Sequence, residues 1–226
     1  MDSLAPSAAP RTLNVLRPAE PPPPTRYIDP EDLKQELSEL VVADGGPDNA
    51  RPHFVERVKE VIAAAHSQAR EELEADGLGR RCAEGLSGFQ DDLIRTLFDL
   101  IVTYRCTEEE RKQIEGMAVV ATGGYGRGLL APGSDIDLLF LMPASTGSGQ
   151  TQVSERLLYL LWDLGFKVGH APVVNCAAVA LKSAEMWVQL RAFSDLEPSR
   201  GPSFALATDQ AKRDFRTLVA KGAGAL

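Results

Sequence analysis

Asp135 and Asp137 stand one residue apart in the run Ser134-Asp135-Ile136-Asp137-Leu138-Leu139-Phe140. The run reads as a strand, and side chains at i and i+2 of a strand point to the same side. The two carboxylates then share a face, about 7 Å apart along the backbone, while Ile136 and Leu138 turn toward a core. Negative charges that close repel unless a cation or a proton lies between them. A hard divalent ion such as Mg²⁺ suits the pair, because it takes oxygen ligands and leaves positions for phosphate oxygens. The alternative is a solvated turn, but these carboxylates interrupt an apolar strand, where an unpaired charge is costly to bury.

Just upstream lies Val119-Val120-Ala121-Thr122-Gly123-Gly124-Tyr125-Gly126-Arg127-Gly128. It reads as a strand running into a glycine turn. Gly123 and Gly124 let the backbone approach a triphosphate with no Cβ in the way, and the free N–H groups of such a turn cradle phosphate. Arg127 can pair with a β- or γ-phosphate through its fork of donors, or form a surface ion pair with an acid of the helical region. Ser134 either donates to a phosphate or caps its turn. Tyr125, Trp162 and Trp187 read as packing residues, Lys167 as a solvated strand-end lysine and His170 as a structural histidine. The glycine motif lacks the Gly-Lys-Ser/Thr of a P-loop, and no acid follows about 20 residues on in Rossmann fashion. Coupled to Asp-x-Asp, it describes a site for a nucleoside triphosphate and its metal, with Asp135 and Asp137 as catalytic and metal-binding residues.

The elements that must position these residues follow from the rest of the chain. Its 226 residues are 44% hydrophobic and 25% charged, an ordinary globular composition. The net charge of −8 argues against duplex nucleic acid as the main partner. No apolar run approaches the ~18 residues of a membrane span, and Met1-Asp2-Ser3-Leu4 lacks the order of a signal peptide. The three cysteines, Cys82, Cys106 and Cys176, have no metal-ligand spacing and read as free thiols. A cytoplasmic protein is expected.

Residues 1–29, with Pro21-Pro22-Pro23-Pro24, read as a disordered proline- and alanine-rich leader. Residues 30–110 read as a helical region. Asp29 caps a first helix that runs to about Val42. A second covers about 53–76, with Val55, Val58, Val61, Ile62 and Ala65 at helical spacing. A third covers about 83–105, with Leu86, Phe89, Leu93, Leu97, Leu100 and Ile101 on one side. Residues 111–196 form the expected catalytic core. It holds strands over Met117–Thr122, Ser134–Met142 and Phe166–Ala171, and an amphipathic helix over 151–164 closed by Gly165. Weaker helices are expected near 178–193 and 208–220, the last within a C-terminal tail over 197–226.

Gly123-Gly124-Tyr125-Gly126-Arg127-Gly128, the Asp135/Asp137 run and Leu158-Tyr159-Leu160-Leu161-Trp162-Asp163-Leu164-Gly165-Phe166-Lys167-Val168-Gly169-His170 closely resemble the bacterial PII uridylyltransferase/uridylyl-removing enzymes. These belong to the polymerase-beta-like nucleotidyltransferases. The resemblance is specific over about 83–170, looser over 30–82 and weak after Ala171. It implies an α+β fold, a small mixed sheet with helices, preceded by a helical N-terminal region. It implies transfer of UMP from UTP to a tyrosine of the PII nitrogen-signalling protein, with Mg²⁺ or Mn²⁺ and release of pyrophosphate. The family also carries an HD hydrolase domain and two ACT domains. The chain is too short for either, and its histidines, His53, His66 and His170, form no His-Asp pair. Uridylyl removal and glutamine sensing are therefore expected to be absent from it.

The sequence departs from the family pattern in places. Leu129 stands where the family usually has Glu, and Ala171-Pro172-Val173-Val174-Asn175-Cys176-Ala177 replaces a polar strand carrying Arg, Asp and Glu. The superfamily draws a third carboxylate from that region; Glu185 and Asp195 are the candidates here. Two alternatives stand beside the main reading: an impaired or truncated copy that binds nucleotide or a partner without turnover, and a nucleotidyltransferase with another acceptor.

Overall fold

The computed structural model describes residues 22–114, 117–142, 148–174 and 206–207. The expected helices near 178–193 and 208–220, and Cys176, Glu185, Trp187 and Asp195, lie outside them.

The chain enters α1 (Pro30–Ala43) through Asp29, whose Oδ1 accepts from the Glu31 amide at 3.0 Å. Pro30 opens the helix and Glu31 and Asp32 fill its first turn, as capping and dipole chemistry require. Leu33, Leu37 and Val41 form its buried stripe. Residues 22–29, the end of the expected leader, are instead docked. Thr25 Oγ1 donates to Glu72 at 2.6 Å, and Arg81 Nε donates to the Pro23 carbonyl at 3.1 Å. Tyr27 packs over Gly85, where a Cβ would sit 3.0 Å from its ring.

The second helix, α2 (Pro47–Asp76), begins six residues earlier than expected and runs through Pro52. Proline costs one intrahelical bond there. The first turn is held from outside: Arg105 donates to the Pro47 carbonyl at 3.3 Å and to Asp48 Oδ1 at 2.8 Å. Gly77, at φ 68, ends the helix in the left-handed conformation. The third, α3 (Gly79–Arg105), buries Leu86, Phe89, Leu93, Ile94, Leu97, Leu100 and Ile101. A short α4 (Glu108–Gln113) follows, opened by a reciprocal capping box between Thr107 and Glu110.

The sheet has the order β3-β2-β1-β4. Strand β1 (Ala118–Ala121) pairs antiparallel with β2 (Ile136–Met142), setting Ala121 against Leu138. A four-residue helical turn, α5 (Gly123–Gly126), lies in their connection. After β2 the chain crosses through α6 (Ser148–Asp163) into β3 (Val168–Val174), which runs parallel to β2 as such a crossover allows. A two-residue β4 (Leu206–Ala207) pairs with β1. Gly165, at φ 90, closes the end of α6 as expected.

One hydrophobic cluster joins the helical region to the sheet. Leu37, Val58, Leu93 and Leu97 connect through Val119, Ile136, Leu138 and Phe140 to Leu157 and Leu161. The fold is thus α+β, a small mixed sheet with helices preceded by a helical region. Trp162 corrects the reading of it as core: it is 44% exposed and makes an edge contact with Tyr159 at 5.6 Å between ring centroids. On α6 it lies off the stripe made by Val153, Leu157 and Leu161. Cys82 and Cys106 are buried free thiols. Among the described residues no helix is long and apolar enough to cross a membrane.

Candidate active site

Asp137 is the second residue of β2, and Asp135 lies in the turn just before the strand. Ile136 and Leu138 are 1% and 2% exposed in the core, so alternation sends Asp137 to the opposite face. Asp135 is exposed and Asp137 only partly so.

The backbone packs tightly around Asp137. Its carbonyl accepts from the Thr122 amide at 2.9 Å, which brings the glycine turn against it. In the β2–β3 register its partner is Gly169. A Cβ on Gly169 would sit 2.5 Å from Asp137 Oδ1, and a Cβ on Gly123 would strike Asp137 Oδ2. The carboxylate therefore lies between two glycines, in space that any larger residue would take. Burial, and then the nearby Asp135 charge, push its pKa above the ordinary carboxylate value.

The glycine turn has a defined geometry. Gly123 adopts φ 62, a left-handed conformation that strains other residues. The Gly126 amide closes the first helical bond onto the Thr122 carbonyl at 2.8 Å. The amides of Gly123, Gly124 and Tyr125 precede that bond, so helix geometry leaves them without an intrahelical acceptor. The Gly124 carbonyl is bonded by Leu129 N at 3.1 Å, and a Cβ on Gly124 would meet the Leu129 carbonyl at 3.3 Å.

Tyr125 anchors this turn from beneath. It is 1% exposed, and its hydroxyl donates to Asp91 Oδ1 on α3 at 2.6 Å. Burial, then the Asp91 carboxylate, holds the phenol well above its ordinary pKa. Burial likewise raises Asp91, against the Tyr125 hydrogen bond. Further along, the Leu130 amide donates to Ser87 Oγ at 2.8 Å and to the Ala83 carbonyl at 3.2 Å. The helical region thus holds both ends of the glycine segment.

Arg127 is exposed and has no ion-pair partner among the described residues; its guanidinium lies 3.9 Å from where a Gly124 Cβ would be. The alternative of an ion pair with a helical acid is not realised there. Ser134 is exposed, and its amide donates to the Ala131 carbonyl at 3.1 Å. Lys167 is also exposed, its carbonyl bonded by the Ile136 amide at 2.9 Å. Asp135, Asp137, Gly123, Gly124 and Arg127 therefore gather around one turn. Two residues escaped sequence reasoning as contributors: Gly169, which makes room for Asp137, and Asp91, which holds Tyr125. Gly169 was visible only as a glycine inside a strand, a known mark of close approach; Asp91 carried no signal.

A divalent ion suits these donors. The set is oxygen-only, the charges lie close enough for Asp135 to raise the pKa of Asp137, and Mg²⁺ commonly binds through one or two carboxylates plus phosphate oxygens. Among the described residues no group of three or more His, Cys, Asp or Glu gathers as a metal site.

Residues 99–193 match the model of the nucleotidyltransferase domain. A bifunctional uridylyltransferase/uridylyl-removing enzyme of Rhodopseudomonas palustris is 43% identical over 157 residues, covering 69% of this chain and 17% of that protein. The enzyme of the same description from Bradyrhizobium sp. is 46% identical over 127 residues, 56% of this chain and 14% of the relative. That of Azospirillum brasilense is 42% identical over 139 residues, 62% of this chain and 15% of the relative. The chain spans about a sixth of the length of these curated relatives.

Proposed function

We propose, for a chain that carries a nucleotidyltransferase domain and resembles bifunctional uridylyltransferase/uridylyl-removing enzymes over more than half its length, that it transfers UMP from UTP to a tyrosine of the PII signalling protein. The observation that supports this most is the Asp137 carboxylate, held between Gly123 and Gly169 at the mouth of the glycine turn. The two glycines leave the carboxylate room that a side chain at either position would take, and that room lies beside the glycine-turn amides.

The Gly123 and Gly124 amides receive phosphate oxygens, and Arg127 neutralises the β- or γ-phosphate. Ser134 offers a hydroxyl donor two residues before β2. The acceptor oxygen attacks the α-phosphorus in line; a new phosphorus–oxygen bond forms as the bond to the bridging oxygen breaks. The hydroxyl proton leaves to a carboxylate or to water, and pyrophosphate departs with the electron pair. Asp135 and Asp137 would hold Mg²⁺ or Mn²⁺, which would lower the pKa of the attacking hydroxyl and stabilise the leaving pyrophosphate. Positioning and charge neutralisation supply most of the rate in such transfers. Tyr125 and Asp91 act at one remove, by fixing the turn on α3. The division into a helical region over 30–110 and a catalytic core over 111–196, and a cytoplasmic location, belong to the same proposal.

The test is incubation with α-phosphate-labelled UTP, Mg²⁺ and purified PII. Label on a PII tyrosine supports the proposal. Label on a different acceptor replaces the PII assignment with another nucleotidyltransferase reaction. UTP binding without any transfer assigns the chain to a nucleotide-binding role without turnover.

A further inference from the structure

Helix α3 is weakest where it meets the glycine segment. Three of its first ten residues, Gly79, Gly85 and Gly88, are glycines, and residues 89–105 hold none. Glycine is the least favourable residue of a helix interior after proline. Leu78, at the N-cap, has no polar side-chain atom to cap the first turn. Arg80 and Arg81 place positive charge at the end of the dipole that favours anions. A Cβ on Gly88 would meet nothing within 4 Å among the described residues, so packing does not require a glycine there. Local chemistry alone would leave this half of the helix frayed.

Two segments hold it from different sides. Residues 22–29 hold the first. Arg81 donates to the Pro23 carbonyl at 3.1 Å and to Thr25 Oγ1 at 2.8 Å. Tyr27 covers Gly85, where a Cβ would lie 3.0 Å from its ring, and Arg26 pairs with Asp92 at 3.3 Å. The glycine segment holds the second: the Leu130 amide donates to the Ala83 carbonyl and to Ser87 Oγ, and the Tyr125 hydroxyl to Asp91. At about 100° per residue, positions 81, 85 and 92 fall within about 40° of one another around the helix, and 83, 87 and 91 centre roughly 140° away from them. One stretch of α3 is thus gripped by residues 22–29 on one side and by the glycine segment on the other.

The geometry points to Thr25 and Tyr27 as positioning residues for the glycine turn: docked on α3, they keep its first half helical, and that half keeps Tyr125 and Leu130 in place. Their own contacts are with Glu72, Arg81 and Gly85, so they act on the turn only through Ser87 and Asp91. Release of residues 22–29 would loosen the turn without touching it. The consequence for UTP rests on the proposed nucleotide site. The coupling itself runs between described side chains and does not.

The Thr25→Ala, Tyr27→Ala double variant of the full chain tests this. Amide hydrogen exchange and the ¹H–¹⁵N shifts of Gly123, Gly124 and Leu130 are measured without nucleotide or metal. Exchange over 83–91 should quicken about tenfold, the effect of losing one partly buried ring, while 94–104 keep their rates. The three amide signals should move. Adding Gly88→Ala should slow exchange over 83–91 about fivefold and return the signals toward their original positions. In the double variant the KM for UTP should rise about threefold at unchanged kcat, because fewer molecules hold the turn ready. If the double variant fails to fold, Gly88→Ala alone decides: it should slow exchange over 83–91 and at the Leu130 amide together, and slowing over 83–91 without Leu130 would overturn the proposal. So would unchanged exchange over 83–91 in the double variant, an equal loss over 94–104, or unmoved turn signals. An unchanged KM beside moved turn signals would overturn the positioning role. Absence of any UTP turnover would count against the proposed reaction, and the exchange and shift measurements would still decide the coupling.

Discussion

Gly169 faces Asp137 across the β2–β3 register, and a methyl group there would lie 2.5 Å from the Asp137 Oδ1. The carboxylate keeps its orientation because its neighbour has no side chain. Gly169 is not among the glycines with positive φ, so alanine at this position adds volume without backbone strain. Gly169→Ala should therefore reduce transfer about a hundredfold, the cost of a displacement of roughly 1 Å at a reacting centre. Circular dichroism and the melting temperature should stay close to those of the unaltered protein. Full activity in a folded Gly169→Ala protein would show that the space beside Asp137 has no catalytic use.

Arg127 lies over the glycine turn with no ion pair to break among the described residues. Arg127→Met should leave the melting temperature nearly unchanged, as exposed substitutions do. The KM for UTP should rise about tenfold, the cost of one charge-assisted hydrogen bond. An unchanged KM would return Arg127 to the role of a solvated side chain.

Tyr125→Phe removes the hydroxyl that donates to Asp91 and leaves a partly buried carboxylate short of a donor. The expected loss is about 1–3 kcal/mol at neutral pH, readable by urea unfolding. The pH dependence has a definite sign. Burial and then Asp91 raise the Tyr125 pKa in the folded state, so the folded state holds that proton more tightly than the unfolded chain does. The contribution is complete below about pH 10, the unfolded value, and is lost as pH rises toward the folded value. The alkaline decline in stability should be shallower in Tyr125→Phe; an identical decline would place its origin elsewhere.

Asp137 has the same sign in a lower pH range. Burial, followed by Asp135, raises its pKa, so the folded state binds the proton more tightly and stability falls as pH climbs through the folded value. In metal-free buffer at pH 7, Asp137→Asn should therefore melt higher than the unaltered protein. The advantage should disappear below about pH 4, where the carboxyl is protonated in both states. A lower melting temperature at pH 7 would mean that a partner already compensates the charge.

The helices were legible where local chemistry decides them. Asp29, Pro30 and the following acids mark the start of α1, and Gly165 marks the end of α6. The start of α2 lies ahead of the expected 53, and the bonds that hold that first turn come from Arg105, more than fifty residues away. Trp162 misled for the opposite reason: a large apolar residue on an amphipathic helix reads as core, yet its angle around α6 leaves it exposed. The Asp-x-Asp spacing was plain, but pairing decides where β2 begins, and it leaves Asp135 in the turn. What surrounds Asp137 comes from register. A strand glycine has no stated purpose until β3 is set beside β2. The Tyr125–Asp91 bond spans 34 positions and joins two elements that sequence periodicity treats separately.

The central claim is that Asp135 and Asp137 together hold a divalent ion against a nucleoside triphosphate. Electron paramagnetic resonance of Mn²⁺ measures this directly, because the free-ion signal falls as the ion binds. With UTP present, the unaltered protein should remove Mn²⁺ from solution beyond what UTP alone removes. The Asp135→Asn, Asp137→Asn double variant should not, while keeping the same circular dichroism. Equal Mn²⁺ uptake by both proteins would contradict the account.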